Sequence, residues 1–421
     1  CIRIPQMHIG FCHCVRGGNF FYFVINNFHI LEIYSLLNSN TIMRYHKYFR
    51  YVNSWVFLVV LTLMLLSVVV ISSMDPTAML VTSSKGLLTN KSIMQLRHFA
   101  LGWVVFFICA YFDYHLFKRW AWVLYFFMIC ALVGLFFVPS VQNVHRWYRI
   151  PFIHMSVQPS EYGKLVIVIM LSYILESRKA DITSKTTAFL ACLVVALPFF
   201  LILKEPDLGT ALVLCPVTLT IFYLSNVHSL LVKFCTVVAT IGIIGSLLIF
   251  SGIVSHQKVK PYALKVIKEY QYERLSPSNH HQRASLISIG LGGIRGRGWK
   301  TGEFAGRGWL PYGYTDSVFS ALGEEFGLLG LLFTLGLFYC LICFGCRTVA
   351  VATDDFGKLL AAGITVYLAM HVLINISMMC GLLPITGVPL ILISYGGSSV
   401  ISTMASLGVL QSIYSHRFAK Y

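Results

Sequence analysis

Residues 55–73 read WVFLVVLTLMLLSVVVISS, a continuous apolar run without a single charged side chain. A helix crossing the hydrocarbon core of a bilayer needs ~20 such residues. The run does not alternate between apolar and polar positions, as a strand of a membrane barrel would. Runs of the same kind recur near Met94–Phe112, Trp120–Val138, Tyr162–Leu175, Thr187–Leu203, Leu208–Leu224, Leu230–Val254, Val318–Cys346, Leu359–Cys380 and Pro389–Tyr414. The pattern predicts an all-α, polytopic integral membrane protein with about ten transmembrane helices. The fourth run is short and is expected to extend into its flanks. One long hydrophilic segment, residues 255–317, is read as an extracytoplasmic loop.

Composition points the same way. Of 421 residues, 57% are hydrophobic and only 11% charged, about half the usual charged share. Such a chain cannot supply the polar surface of a soluble domain, which excludes soluble Rossmann, barrel and sandwich folds. The net charge of +16 would suggest nucleic acid in a soluble protein. In a membrane protein it reflects the basic bias of cytoplasmic loops and a share left for anionic substrate or headgroups, so no nucleic-acid partner is expected. No Cys/His zinc spacing occurs. Cys340, Cys343 and Cys346, at helical spacing, are read as packing residues.

Residues 1–42 differ from the rest, with three cysteines and ragged aromatic hydrophobicity. Met43 is followed by Arg44, Lys47 and Arg50 and then by the first strong run. Residues 1–42 are therefore read as a non-native leader or N-terminal extension, with an extra helix near Phe20–Leu37 as the alternative; residues 43–421 form the membrane domain. Lys and Arg favour one set of loop ends, among them Lys118, Arg178, Lys179, Lys185, Arg347, Lys358 and Arg417. The positive-inside rule places these ends, and both termini, in the cytoplasm.

The outer ends then hold acids and cations against the trend. They fall in four segments: His145-Arg146-Trp147 through Gln158-Pro159-Ser160-Glu161 to Lys164; Lys204-Glu205-Pro206-Asp207-Leu208-Gly209-Thr210; Gln282 and Ser285 through Gly290–Gly298 to Thr315-Asp316; and Gly381-Leu382-Leu383-Pro384 to Ser394-Tyr395-Gly396-Gly397-Ser398-Ser399. Plainer readings exist for each. Glu161 and Asp207 suit helix starts, Asp316 suits an N-cap, and Gly396-Gly397 suits close helix packing. The Gly/Arg stretch is not a P-loop, because Trp299 stands where Lys is required, and not a GxGxxG, because Arg295 interrupts it. It is compatible with an anion site built from backbone amides and Arg295, Arg297, Lys300 and Arg307, or with a segment that binds lipid headgroups.

In this order and at these spans, the four segments resemble the SEDS family of bacterial shape, elongation, division and sporulation proteins, the RodA and FtsW group, and Ile385-Thr386-Gly387-Val388-Pro389 resembles the RodA form. The similarity runs from about Met43 to the C-terminus. Three positions depart from the family pattern: Tyr314 where His is usual, Ser317 where a large apolar residue is usual, and Arg297 where Lys is common. The resemblance implies a peptidoglycan glycosyltransferase that polymerises lipid II into undecaprenyl-diphosphate-linked glycan at the bacterial inner membrane, during cell-wall elongation and shape maintenance. It implies Asp316 as the catalytic acid/base and a class B penicillin-binding protein as partner. Arg146, Glu161, Lys164, Lys204, Asp207, Gln282, Ser285, Arg295 and Arg297 are the candidate substrate-binding residues. No metal ligand set is expected and no cofactor is certain; a divalent cation, Mg or Mn, at the diphosphate stays open. A lipid II flippase, or a noncatalytic scaffold for a cell-wall synthase, are the alternatives.

Overall fold

The structure is a computed structural model that describes residues 53–74, 89–138, 146–150, 155–205, 207–251, 253–254, 260–261 and 280–418. Residues 1–42, on which the leader reading falls, lie outside the described residues, as do His145, Pro206 and much of the 255–279 segment.

Twelve helices are described: α1 (Ser54–Ser73), α2 (Asn90–Tyr111), α3 (His115–Gly134), α4 (Pro159–Ser177), α5 (Lys185–Lys204), α6 (Leu208–Leu224), α7 (Ser229–Phe250), α8 (His280–Gly292), α9 (Glu303–Gly306), α10 (Val318–Val351), α11 (Asp355–Met379) and α12 (Gly397–Ser415). Seven of them are long and apolar enough to cross a membrane. With α4, α6 and α12 they make ten, in the places expected from the apolar runs. The chain is an all-α, multi-pass membrane protein.

The helices that fall short of full apolarity have a physical reason to do so. In α4 and α12 most side chains are buried within the protein, including Ser160, Glu161 and Lys164 on α4 and Ser402, Thr403, Ser406 and Gln411 on α12. Polar groups in a membrane protein are tolerated where they face protein rather than lipid. Helix α12 packs along α2, and α11 lies against α10, α6 and α4. Helix α7 is peripheral, packing on α6.

Three expectations need correction. The tenth run begins as backbone turns rather than helix: α12 starts at Gly397, and Pro389–Gly396 lies outside it. Helix α10 is broken at Gly327, whose φ of 64° and ψ of −164° are non-helical. A Cβ on Gly327 would lie 2.3 Å from the Gly296 nitrogen, so only glycine permits this crossing. Cys340, Cys343 and Cys346 are exposed on α10 and do not pack within the protein. The hydrophilic loop also holds more order than expected, with α8 lying along the first part of α10. A short antiparallel hairpin, β1 (Tyr148–Ile150) and β2 (Met155–Val157), leads into α4.

One end of the bundle gathers Lys118 with Glu176 at 2.8 Å, Lys179 with Asp355 and His115 with Asp113 at 2.8 Å. Asp354 caps α11 through the Gly357 nitrogen at 3.1 Å and accepts from Tyr114. Its burial alone would raise its pKa, yet hydrogen bonds from His115, Tyr114 and Gly357 hold it down to about 2. The four outer segments meet at the other end.

Candidate functional site

The connection between α11 and α12, residues 381–396, is the hub of that end. Asn375, buried on α11, donates to Val388 O at 2.8 Å and to Asp316 O at 2.9 Å. Ser394 Oγ accepts from Leu390 N at 2.8 Å and donates to Thr315 O at 2.5 Å. Tyr395 N donates to Tyr314 O at 2.8 Å. The third segment is thereby clamped to the fourth through backbone, immediately around Asp316. The half-buried Asp316 side chain lies beside Gly387: a Cβ there would sit 3.5 Å from Asp316 Oδ2. Asp316 does not cap α10. The cap residue is Ser317, whose side chain makes no cap hydrogen bond. The plain reading of Asp316 as an N-cap is therefore overturned.

Asp207 is the opposite case. It caps α6, accepting from Thr210 N at 3.2 Å and Thr210 Oγ1 at 2.8 Å. Its Oδ2 also accepts from Ser160 Oγ and Gln158 Nε2, both at 2.9 Å. Four donors on a buried carboxylate fix the starts of α4 and α6 to each other. Gln158 N in turn donates to Ser398 Oγ at 3.0 Å, and Trp147 Nε1 to Gln158 Oε1 at 3.2 Å. Segments one, two and four are thus locked together.

Deeper on α4, Lys164 and Glu161 pair at 2.8 Å with side chains 1% and 5% exposed. Lys164 Nζ also lies 2.7 Å from His371 Nε2 on α11. Glu161 Oε2 is buried and has no hydrogen-bond partner among the described residues. A buried charge is retained only where it is paired, and one carboxylate oxygen of this pair stays open to a further donor.

Arg146 donates from Nε to Glu205 O at 3.0 Å. The Glu205 carboxyl is itself buried, and its Oε1 has no partner among the described residues. Burial, then the nearby Asp207 charge, push its pKa up to about 8, with Arg146 opposing. Lys204 next to it is exposed.

The Gly/Arg stretch does not form the expected nest of free amides. Gly296 N donates to Gly292 O, Arg297 N to Glu324 O and Gly298 N to Glu325 O, at 2.8, 2.9 and 3.0 Å. The Arg297 and Gly298 amides mount the loop on α10 and the Gly296 amide closes the end of α8, which corrects the expectation of an anion site made from backbone. What is left for an anion is side chains. Arg295 and Arg297 are exposed, and Arg297 pairs with Glu303 at 2.7 Å. Buried Glu324 accepts from Phe304 N, Ala305 N and Ser288 Oγ at 2.9, 3.0 and 3.0 Å, holding α8 and α9 to α10. On α8, Gln282 Nε2 donates to Leu383 O at 3.3 Å, and Ser285 Oγ contacts Met379 Sδ at 3.5 Å. Gln282 ties the loop to the start of the hub and Ser285 to the end of α11.

The family model FTSW_RODA_SPOVE, described as "Cell cycle protein", matches residues 53–419. The chain belongs to this family. It is 30% identical over 342 residues to peptidoglycan glycosyltransferase MrdB of Escherichia coli K12, covering 81% of this chain and 90% of that one. It is 32% identical over 335 residues to stage V sporulation protein E of Bacillus subtilis, covering 78% and 87%. Its fold matches a chain from a peptidoglycan synthase complex that coordinates polymerization and crosslinking, with a TM-score of 0.68, 23% identity and coverage of 88% and 99%.

Of the positions read as departing from the family pattern, Tyr314 and Ser317 both have local partners, as Arg297 does in Glu303. Tyr314 donates to Met74 O at 2.7 Å, and Lys91 Nζ lies 3.4 Å from its ring centroid. Ser317 Oγ donates to Pro311 O at 2.9 Å and lies 2.5 Å from His281 Nε2. Sequence reading missed His371 and Asn375. Asn375 sits in an otherwise apolar run, where an uncompensated polar residue is costly, and that was the available signal. His371 carried the same signal.

Proposed function

We propose that this chain is a peptidoglycan glycosyltransferase of the RodA type that polymerises lipid II during cell-wall elongation. The family and its glycosyltransferase relatives support the class of reaction. The observation that carries the assignment of the site is the clamp around Asp316: the Asn375 and Ser394 side chains hold the backbone of Thr315 and Asp316, which sets the Asp316 carboxylate beside Gly387.

In this reading the donor's anomeric carbon already carries a lipid diphosphate, a good leaving group. A new C–O bond forms from the acceptor sugar hydroxyl while the bond to the diphosphate oxygen breaks, with inversion at that carbon. Asp316 takes the hydroxyl proton as general base. The diphosphate leaves with its negative charge, which Arg146, Lys204, Arg295 and Arg297 would offset. No second carboxyl is needed to protonate the leaving group, unlike glycosidic hydrolysis. Among the described residues no three His, Cys, Asp or Glu side chains come together as a metal site. A Mg or Mn ion at the diphosphate would therefore draw its ligands largely from substrate and water, and no step here runs through one.

The substrate's location argues for an outer-facing site, with both termini cytoplasmic in the inner membrane. The basic pairs at the opposite end, Lys118–Glu176 and Lys179–Asp355, support that orientation. A class B penicillin-binding protein is the partner that would crosslink the glycan, in keeping with the synthase complex whose fold is matched. The test is purified protein with lipid II in detergent. Muramidase-sensitive polymer is expected. Lipid II transfer across vesicles without polymer would make the chain a flippase, and neither outcome would make it a scaffold.

A further inference from the structure

Helix α11 carries two buried polar side chains, His371 and Asn375. They are four residues apart and so share one face, a turn apart. His371 Nε2 lies 2.7 Å from Lys164 Nζ, and His371 Nδ1 lies 3.3 Å from Pro389 O. Asn375 Nδ2 donates to Val388 O and to Asp316 O at 2.8 and 2.9 Å.

Donor and acceptor rules fix the states of both groups. A lysine ammonium can only donate, so Nε2 of His371 must accept. A backbone carbonyl can only accept, so Nδ1 must carry the proton. The ring is thus the neutral Nδ1–H tautomer, selected from both sides. The same logic orients Asn375, since two carbonyl oxygens need the two hydrogens of its NH2 group. One turn of α11 therefore grips consecutive carbonyls, those of Val388 and Pro389. Through them it holds the Lys164 ammonium at one end and the Asp316 backbone at the other. Gly387, the next residue back, is the one that flanks the Asp316 carboxylate.

We propose that His371 and Asn375 are a positioning pair that sets the separation between the Lys164 ammonium and the Asp316 carboxylate. Neither touches the reacting atoms. Their role is to hold the buried Lys164 ammonium and the backbone that carries the proposed base at a fixed spacing along one rigid helix. Small misplacements of reacting groups are costly to rate, which is where the pair acts. The inference rests on the glycosyltransferase reading for its kinetic consequence but not for its geometry.

The experiment has two arms. In the first, 15N-histidine-labelled protein is studied by NMR, with the His371 signal assigned by its loss in His371→Gln. The expected wild-type signal is a neutral ring protonated on Nδ1, and Lys164→Met should relax that preference. A ring protonated on Nε2 in the wild type would overturn the proposal whether or not the protein is an enzyme. The second arm measures lipid II polymerisation. His371→Leu should lower kcat roughly 10–150-fold, the range for losing one charge-assisted contact, while KM changes less than about three-fold. His371→Gln, which keeps an acceptor for Lys164, should recover activity to within about five-fold of wild type. The effects of His371→Leu and Lys164→Met should be non-additive, because one acts through the other. A folded His371→Leu variant with normal kcat, or additive losses, would reject the pair. A wild type that makes no polymer but shows the Nδ1–H ring would reject the enzymatic reading and leave the geometric coupling standing.

Discussion

Arg146 donates from Nε to the backbone carbonyl of Glu205 at 3.0 Å, while the Glu205 carboxyl beside it is buried without a partner for Oε1 among the described residues. The guanidinium fixes the turn between α5 and α6, and in the proposed reaction it would also supply positive charge to the diphosphate. Arg146→Ala is expected to lower polymerisation by ~1.5–3 kcal/mol, roughly 10–150-fold. Arg146→Lys should rescue only in part, because an ammonium cannot replace the bidentate fork on phosphate. Full activity in the Ala variant, measured on lipid II, would reduce Arg146 to a structural contact.

Asp316→Asn separates chemistry from architecture. Because the Asp316 side chain does not cap α10 and its backbone carbonyl is what Asn375 holds, the variant should insert and melt like the wild type. Asparagine cannot accept the proton, so the polymerisation rate should fall by the ~10²–10⁴-fold typical of general bases. Lipid II binding should persist. A stable and active Asn variant would move the base to another outer acid, with Glu161 next because its Oε2 is open.

The ten apolar helices were legible because lipid imposes a uniform demand over ~20 residues, and even α4, with its Glu161 and Lys164, was visible from its apolar remainder. The four segments of the site were legible as polar residues in the wrong place. What the sequence hid is how those residues are spent. Asp207 looked like Asp316, an acid before an apolar run, yet Asp207 caps α6 and is saturated by four donors, whereas the cap position of α10 falls on Ser317. The glycines of the loop looked like an anion nest, yet Gly298 N is spent on Glu325 O of α10 and Gly296 N on Gly292 O of α8. Many of these distinctions depend on partners distant in sequence, 49 residues for Gln158 and Asp207 and 207 for Lys164 and His371, and no local pattern encodes them.

The loop mounting yields a contrast between two neighbouring glycines. A Cβ on Gly292 would fall 1.9 Å from the Gly323 oxygen, whereas one on Gly290 meets nothing within 4 Å. Gly292→Ala should push α8 off α10 and destabilise the protein by at least ~1–3 kcal/mol, with loss of folded yield. Gly290→Ala should be neutral or stabilising by about 0.5–1 kcal/mol, because alanine favours helix. Thermal melts in detergent check both, and equal behaviour of the two would show that α8 does not make this contact.

Glu205 predicts a dependence of stability on pH. Burial and the Asp207 charge raise its pKa from the ordinary 4.5 to about 8. Between those values the folded protein holds a proton that the unfolded chain has released. The sign follows: stability from this group is full below pH 4.5 and is lost as pH rises towards and through about 8. The loss is on the order of a few kcal/mol, since each pKa unit corresponds to ~1.4 kcal/mol. Glu205→Gln is neutral at every pH and fills nearly the same volume, so its stability should not carry this slope. Melting temperatures at pH 5.5, 7 and 8.5 should therefore fall for the wild type relative to the Gln variant. Arg146→Ala should steepen the fall, because Arg146 is the charge that opposes the shift. Parallel curves for wild type and Gln would mean that Glu205 is ionised in the folded protein, with its charge met by Arg146.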